Sequence, residues 1–151
     1  RINLGSVVMF KSTTAKYLYK KYKAKHVLDP TAGWGGRMLG AWALDINYTG
    51  IDTNVEMVPA YDGMMKFLNK DANVFGNGLF EEEIKTKLNM IYQSCLDVDF
   101  SKIDYDFVLT SPPYINLEMY EHMELWDSDT AFYKEFFIPL WEKCMKHIKK
   151  N

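Results

Sequence analysis

The chain has 151 residues, of which 48% are hydrophobic and 25% are charged. This balance is typical of one globular domain, and it excludes disordered, collagen-like and low-complexity chains. The formal net charge of −2 also excludes a polycation that binds nucleic acid by charge alone.

Hydrophobic periodicity and turn residues divide the chain into alternating helices and strands. Helices are predicted over residues 13–25, 37–44, 54–69, 81–88 and 129–149. Strands are predicted over residues 26–29, 47–52, 89–94 and 105–110. Pro59 is expected to bend the third helix or to mark its start. A loop is predicted over residues 71–80, where asparagine and glycine cluster.

This alternation predicts an α/β fold, with a parallel sheet and helices on both faces. We expect a single domain over residues 1–151. The last helix should lead to a fifth strand, and the chain begins with Arg1 rather than Met. We therefore expect a fragment whose fold is incomplete at the C-terminus.

The two cysteines, Cys95 and Cys144, fit neither a disulfide framework nor a zinc site. Free thiols are typical of a reducing compartment, so we predict a cytoplasmic location. No apolar run reaches the roughly 18 residues of a membrane span. Acidic residues and one histidine crowd together late in the chain, but their spacing matches no strong ligand motif and predicts no metal. They are Glu118, Glu121, His122, Glu124 and Asp127.

A glycine-rich segment, DPTAGWGG over residues 29–36, joins the first predicted strand to the helix that follows. In doubly wound sheets, ligands bind at the carboxyl ends of the strands. Gly33 and Gly35 would let the backbone approach such a ligand, because neither has a Cβ. A dinucleotide fingerprint needs glycine at position 38, where Met38 stands, and this disfavours a nicotinamide cofactor. A tight turn without a ligand is the alternative.

Polar residues also end the second and third predicted strands. Asp52 stands nineteen positions after Gly33, a spacing at which a carboxylate can accept the hydroxyls of a ribose. The alternative is a solvated carboxylate or a helix cap. After the third strand, Ser94, Cys95 and Asp97 could meet an adenine ring, although Asp97 could equally cap a turn.

The tetrapeptide SPPY, residues 111–114, directly follows the fourth predicted strand. Its two prolines stiffen the backbone and lack N–H groups. The Ser111 hydroxyl and the Pro112 carbonyl can accept both hydrogens of an amino group while a ring stacks on Tyr114. Such an arrangement directs the nitrogen lone pair at an electrophile. The alternative is a rigid turn with a packed tyrosine.

Taken in order, DPTAGWGG, GID and SPPY resemble the motifs of the S-adenosylmethionine-dependent amino-methyltransferases that modify adenine N6 or cytosine N4, mostly in DNA. The resemblance covers roughly residues 10–125. It implies the Rossmann-like fold of class I methyltransferases, S-adenosyl-L-methionine as the cofactor, and DNA as the partner, with the target base flipped into the SPPY pocket. RNA is an alternative partner.

The resemblance also implies roles for individual residues. The catalytic motif corresponds to Ser111, Pro112, Pro113 and Tyr114. The cofactor-binding set corresponds to Phe10, Asp29, Thr31, Ala32, Gly33, Trp34, Gly35, Asp52, Ser94, Cys95 and Asp97. Two alternatives to an active DNA enzyme stay open: an RNA amino-methyltransferase, and a non-catalytic module that binds a nucleoside or a partner.

Basic residues are the last feature of the sequence. Seven of the eighteen basic residues lie within residues 1–25. They could contact phosphates, although a solvated helix face is the favoured interpretation. Arg37, at the start of the second helix, could reach the cleft, although a surface position is the favoured interpretation.

Overall fold

The computed structural model describes residues 9–74, 87–113 and 126–150. Four strands are present in these ranges: β1 (His26–Asp29), β2 (Asn47–Asp52), β3 (Leu88–Tyr92) and β4 (Phe107–Val108). The helices are α1 (Ser12–Tyr22), α2 (Gly36–Trp42), α3 (Val58–Val74), α4 (Asp129–Phe132) and α5 (Ile138–His147). Short 3₁₀ turns span Val55–Met57 and Phe100–Lys102, and a π turn, Tyr133–Phe137, joins α4 to α5.

The four strands form one parallel sheet in the order β3-β2-β1-β4. The chain therefore adds β2 and β3 on one side of β1 and returns to place β4 on the other side. Strand order reverses between β1 and β4, which is where open α/β sheets bind their ligands. Because all four strands are parallel, their carboxyl ends lie at the same edge.

Helices cover both faces of this sheet, as predicted. On one face α1, α2 and α3 bury a core that includes Tyr19, Met38 and Tyr61. On the other face the C-terminal helices bury Phe136 and Leu140, together with aromatic residues that precede β4. Each side of the sheet has its own core, which holds the loops at the carboxyl edge in fixed positions.

The bounds of β1 and β2 match the prediction, but β4 is shorter than the predicted 105–110. The residues on either side of its two-residue core keep single backbone bonds to β1, from the Asp106 N–H to the His26 carbonyl at 3.0 Å and from the Leu109 N–H to the Leu28 carbonyl at 3.2 Å. Side-chain contacts add to these bonds. Asp106 accepts hydrogen bonds from the backbone N–H groups of Lys25 and His26 at 3.0–3.2 Å. The Tyr105 hydroxyl donates to the Cys144 carbonyl at 2.7 Å.

The helices also differ from their predicted bounds: α1 and α2 begin one residue earlier and end three and two residues earlier than predicted, and two other helices differ further. α3 continues to Val74, so the predicted loop over 71–80 is wrong for its first four residues. The reason is that the first glycine of that segment comes only at position 76. The predicted helix over 129–149 is interrupted by the π turn and ends at His147. Pro139 follows this turn and has no N–H for an ordinary helical bond. Most of the predicted helix over 81–88 lies outside the described residues, and its last residue, Leu88, begins β3.

No disulfide joins Cys95 and Cys144, and both side chains are buried. Burial raises the pKa of the Cys144 thiol to about 11, so this thiol stays protonated at neutral pH. In the described ranges, no helix is long and apolar enough to cross a membrane.

Candidate functional site

The glycine turn after β1 depends on a left-handed backbone. Gly33 has a φ of +60° and Gly35 a φ of +80°, in a region that residues with a Cβ rarely adopt. A Cβ added to Gly33 would have no atom within 4 Å, whereas one at Gly35 would lie 2.5 Å from the Met64 side chain. Gly33 therefore faces open space at the carboxyl edge, and a ligand can approach its backbone there.

Asp52 at the end of β2 fastens this turn. Its Oδ2 accepts a hydrogen bond from the Gly33 N–H at 2.7 Å, and its Oδ1 accepts one from the Asn54 N–H at 2.9 Å. A carboxylate has about four lone-pair sites, so these two bonds leave capacity for two further donors. The half-buried Asp52 is thus in contact with the turn, and the acceptance of ribose hydroxyls for which its spacing argues stays a prediction. Asn54, not Asp52, caps the 3₁₀ turn that follows.

Tyr61 of α3 holds the opposite side of Gly33. Its hydroxyl donates to the Gly33 carbonyl at 2.7 Å. Burial, and next the nearby charges of Asp29 and Asp52, raise the pKa of Tyr61, so the hydroxyl keeps its proton. Both backbone polar groups of Gly33 are therefore bound by side chains that come from separate elements.

A buried ion pair supports the same turn from inside. Arg37 is 3% exposed, so the expectation of a surface position was wrong. Its Nε donates to Asp29 Oδ2 at 2.6 Å, and its guanidinium also donates to the carbonyls of Thr31 at 2.6 Å and Ala32 at 3.2 Å. These acceptors lie on the turn and on the strand before it, and they draw the side chain inward. Arg37 is the main residue that sequence reasoning missed.

Asp29 does not face the open side of the turn. Its side chain is fully buried, and its Oδ2 accepts from Tyr48 at 2.6 Å as well as from Arg37. Burial, followed by the charge of Asp29, raises the pKa of Tyr48 well above its ordinary value, so Tyr48 stays a donor. In this structure Asp29 contacts the turn through Arg37, and a direct contact with cofactor stays a prediction.

The segment before α1 also packs on the turn. The guanidinium carbon of Arg37 lies 5.2 Å from the centre of the Phe10 ring, a cation–π distance. A Cβ at Gly36 would lie 2.0 Å from the Phe10 carbonyl oxygen. Phe10 is therefore brought to the turn, and Gly36 leaves room for its backbone. Contact between Phe10 and the cofactor, which the resemblance implies, stays a prediction.

This contact gives a stability prediction. We expect Gly36→Ala to lower the free energy of unfolding by about 1–3 kcal/mol, because the new methyl group must displace the Phe10 backbone. Gly63→Ala is the matched control, since a Cβ at that exposed position in α3 meets nothing within 4 Å. The control should raise stability by roughly 0.5–1 kcal/mol through helix propensity. Urea unfolding measures both, and equal effects would contradict the packing described above.

A pair of threonines joins the turn to the segment that follows β4. The Thr31 and Thr110 hydroxyl oxygens lie 2.6 Å apart, and the Thr31 N–H donates to Thr110 Oγ1 at 3.1 Å. The Thr31 hydroxyl also lies 2.9 Å from the Ser111 carbonyl oxygen, to which it donates. Sequence reasoning did not single out Thr110, although it directly precedes SPPY and its strand adjoins β1.

An apolar groove of about 240 Å³ borders Pro112. Trp141 on α5 forms part of its wall and is 54% exposed. The other lining residues come from the ends of β1 and β4 and from α5: Pro30, Val108, Leu109, Thr110, Phe137, Leu140 and Cys144. Ser111 and Pro113 are half-buried beside this groove, and Tyr114 lies outside the described residues. Trp34, at the tip of the glycine turn, is 58% exposed.

The residues after β3 form a turn that is tied to α5. The Asp97 N–H donates to the Ser94 carbonyl at 3.0 Å. Lys143 donates through Nζ to the carbonyls of Cys95, at 3.2 Å, and Leu96. The Cys95 side chain is buried, Ser94 is half-buried and Asp97 is exposed, so Ser94 and Asp97 are the accessible members of the predicted adenine-contacting set.

Within residues 9–74, 87–113 and 126–150, no cluster of three or more His, Cys, Asp or Glu side chains could hold a metal ion. Four of the five residues of the acidic group noted in the sequence, from Glu118 to Glu124, lie outside these ranges.

No protein-family model and no curated protein sequence matches the chain. Among solved structures, the glycopeptide N-methyltransferase MtfA is similar, with a TM-score of 0.59 and 13% sequence identity. The similarity covers 93% of this chain and 54% of MtfA, so the chain spans about half the length of that protein. A structure assigned as a caffeoyl-CoA O-methyltransferase from Staphylococcus aureus shares 18% sequence identity with this chain, with a TM-score of 0.40. That match covers 68% of this chain and 45% of the other protein. The similarity to MtfA shows that the chain has the Rossmann-like fold of class I methyltransferases.

Proposed function

We propose that the chain transfers a methyl group from S-adenosyl-L-methionine to the exocyclic amino group of adenine (N6) or cytosine (N4) in nucleic acid, with DNA as the expected substrate. The observation that carries this proposal is the link from Thr31 to Thr110 and Ser111. It joins the glycine turn, to which the sequence assigns the cofactor, to the segment to which it assigns the base.

The residues around Gly33 fit an adenosine-bearing cofactor. The Asp52 carboxylate keeps unused acceptor capacity beside a backbone that faces open space, as two ribose hydroxyls require. Asp52 and Tyr61 fix Gly33 from two sides before any ligand binds, which lowers the cost of ordering the turn on binding. When bound, S-adenosylmethionine supplies an electrophilic methyl group on its sulfonium centre.

The segment that follows Thr110 fits the reacting amino group. The Ser111 hydroxyl and the Pro112 carbonyl would accept its two hydrogens and turn the nitrogen lone pair toward the methyl donor. They would also stabilise the positive charge that develops on nitrogen. Positioning supplies much of the rate in such a transfer. The methylated nitrogen is positively charged and therefore acidic, so it can release its extra proton to water and no strong base is required. The apolar groove beside Pro112 offers a surface on which a flat ring can pack.

A methyl-transfer assay tests this proposal. The protein is incubated with S-adenosylmethionine and DNA, and in parallel with RNA, and the digested nucleosides are identified by mass spectrometry. We expect N6-methyladenine or N4-methylcytosine from DNA. If methylated nucleosides are found only in the RNA reaction, the substrate is RNA and not DNA. Cofactor binding without methylation of either nucleic acid would overturn the proposal in favour of a non-catalytic module.

Ser111→Ala separates catalysis from cofactor binding. The substitution removes one hydrogen-bond acceptor from an amino group that becomes positively charged in the transition state. Loss of such a bond raises the barrier by about 1.5–3 kcal/mol, which lowers the methyl-transfer rate roughly ten- to over a hundred-fold. The affinity for S-adenosylhomocysteine should stay within a few-fold, and Ser101→Ala, at an exposed serine in the 3₁₀ turn, is the matched control. A rate equal to the wild type for Ser111→Ala would reduce SPPY to a rigid turn.

A further inference from the structure

Charge is distributed unevenly along this chain. The first 25 residues contain seven basic residues and no acidic residue, whereas the remaining 126 contain eleven basic residues and all twenty acidic ones. Within the described part of the basic segment, all the lysine side chains are exposed. We call these residues the lysine face: Lys11, Lys16, Lys20, Lys21, Lys23 and Lys25.

Half of the lysine face, Lys16, Lys20 and Lys21, belongs to α1, and the other three lysines flank this helix. Ala15 and Tyr19 are buried on the inner side of this helix, where Tyr19 donates to the Arg37 carbonyl at 3.2 Å. The exposed lysines therefore point away from the body of the protein. Among the described residues, the ion pairs involve Arg37, Lys102 and Lys149, and none includes a residue of the lysine face. Within the described part of the chain, the positive charge on this side is therefore not offset by an ion pair.

Stability does not explain all of these lysines. Lys16 and Lys20 are one helical turn apart, where like charges destabilise a helix by about 0.2–0.5 kcal/mol. Lys11 is the N-cap of α1, where the helix dipole favours negative charge, and it makes no capping bond. Lys23 has a φ of 55°, a conformation for which glycine is usually preferred. Lys11 and Lys23 therefore stand at positions where folding favours other residues, and Lys16 and Lys20 repel each other.

We propose that the lysine face binds the backbone phosphates of the nucleic-acid substrate. The inference rests on the proposed function for the identity of the polyanion. Lysine ammonium groups suit phosphate oxygens as point charges. The rest of the chain is acidic and repels a polyanion, so the substrate is oriented toward the side that carries α1. This side adjoins the candidate site, since Phe10, directly before α1, packs on Gly36 and Arg37 of the turn.

The composition of this surface argues against a membrane as its partner. Besides lysines, the exposed residues of α1 are two threonines and two tyrosines, with no exposed aliphatic side chain. A membrane-binding helix needs an apolar face that enters the lipid. Tyr17 and Tyr22 are 62% and 54% exposed. The Lys21 Nζ lies 5.9 Å from the centre of the Tyr17 ring and 5.4 Å from the centre of the Tyr22 ring. Positive charge and flat rings therefore alternate along the surface. This pattern suits a nucleic acid.

The test compares two triple variants that remove the same charge from different places. One carries Lys16→Gln, Lys20→Gln and Lys21→Gln, all on α1. The control carries Lys66→Gln, Lys134→Gln and Lys146→Gln, at exposed positions on other helical segments. Binding to a fluorescent DNA duplex is measured by anisotropy between about 50 and 200 mM salt, and the slope of log affinity against log salt is compared.

We expect log affinity to fall less steeply with log salt in the α1 variant, with a slope whose magnitude is lower by about 2–3. The reason is that each lost phosphate contact on B-DNA removes about 0.9 from this magnitude. The control variant should keep the slope of the wild type. Both variants should keep the affinity for S-adenosylhomocysteine, which the lysine face does not contact.

An unchanged slope for the α1 variant would overturn the inference even if the protein methylates DNA. Equal losses in both triple variants would overturn it as well, since net charge would then be the cause. So would binding to vesicles of anionic lipid with no binding to DNA. Conversely, the predicted change in slope without methyl transfer would support the lysine face and overturn the proposed function.

Discussion

Replacement of Arg37 by methionine is expected to lower the free energy of unfolding by about 3–5 kcal/mol, the largest effect predicted for a single change in this chain. The reason is that Asp29 would remain buried with a hydrogen bond from Tyr48 but without its ion-pair partner. The carbonyls of Thr31 and Ala32 would lose a donor at the same time. Urea unfolding measures this change.

Two further variants show whether the pair itself is responsible. Arg37→Met combined with Asp29→Leu removes both charges, so part of the lost stability should return. The return is incomplete because the buried Tyr48 hydroxyl loses its acceptor in the double variant. Lys149→Met removes the exposed partner of Asp104 and should change stability by less than about 1 kcal/mol. A loss below about 1 kcal/mol for Arg37→Met itself would show that the pair does not support the turn.

Asp52→Ala is expected to weaken binding of S-adenosylhomocysteine by at least roughly tenfold. A carboxylate forms charge-assisted hydrogen bonds worth about 1.5–3 kcal/mol each, and 1.4 kcal/mol corresponds to tenfold in affinity. The variant also loses the hydrogen bond that fixes the Gly33 N–H. The ligand must then order the turn when it binds, and this cost lowers its affinity. Isothermal titration calorimetry measures the affinity.

The controls separate the loss of a ligand contact from a general loss of charge. Asp62→Ala removes an exposed carboxylate from α3 and should leave the affinity unchanged. Asp52→Asn keeps an acceptor oxygen but not the charge, and it should lie between the wild type and Asp52→Ala. A folded Asp52→Ala protein that binds S-adenosylhomocysteine as tightly as the wild type would mean that Asp52 only closes the turn.

The parts of the fold that the sequence predicts well depend on local patterns and on parallel pairing. β1 and β2 are short apolar runs bounded by turn residues, and their bounds were predicted correctly. Asp29 pairs with Gly50 in register, so the glycine turn and Asp52 leave the sheet at the same edge. That geometry explains why a spacing of nineteen positions brings Asp52 against Gly33.

The parts that the sequence did not predict depend on contacts between distant elements. Arg37 follows a turn and has the charge of a surface residue, and its burial depends on Asp29 and Tyr48, which lie on two different strands. The bond between Thr31 and Thr110 exists because β4 pairs with β1. Strand order is set by the packing of the whole sheet, and no local pattern around Thr110 contains it.

A crystal structure of the protein with S-adenosylhomocysteine would test directly whether the cofactor binds at the glycine turn beside Asp52. We expect the ligand to lie against Gly33, with both ribose hydroxyls donating to the Asp52 carboxylate at about 2.5–3.0 Å. We also expect the sulfur end to face residues 111–113, where the amino group of a base would be held. A ligand bound elsewhere, or a ribose without contact to Asp52, would contradict the account.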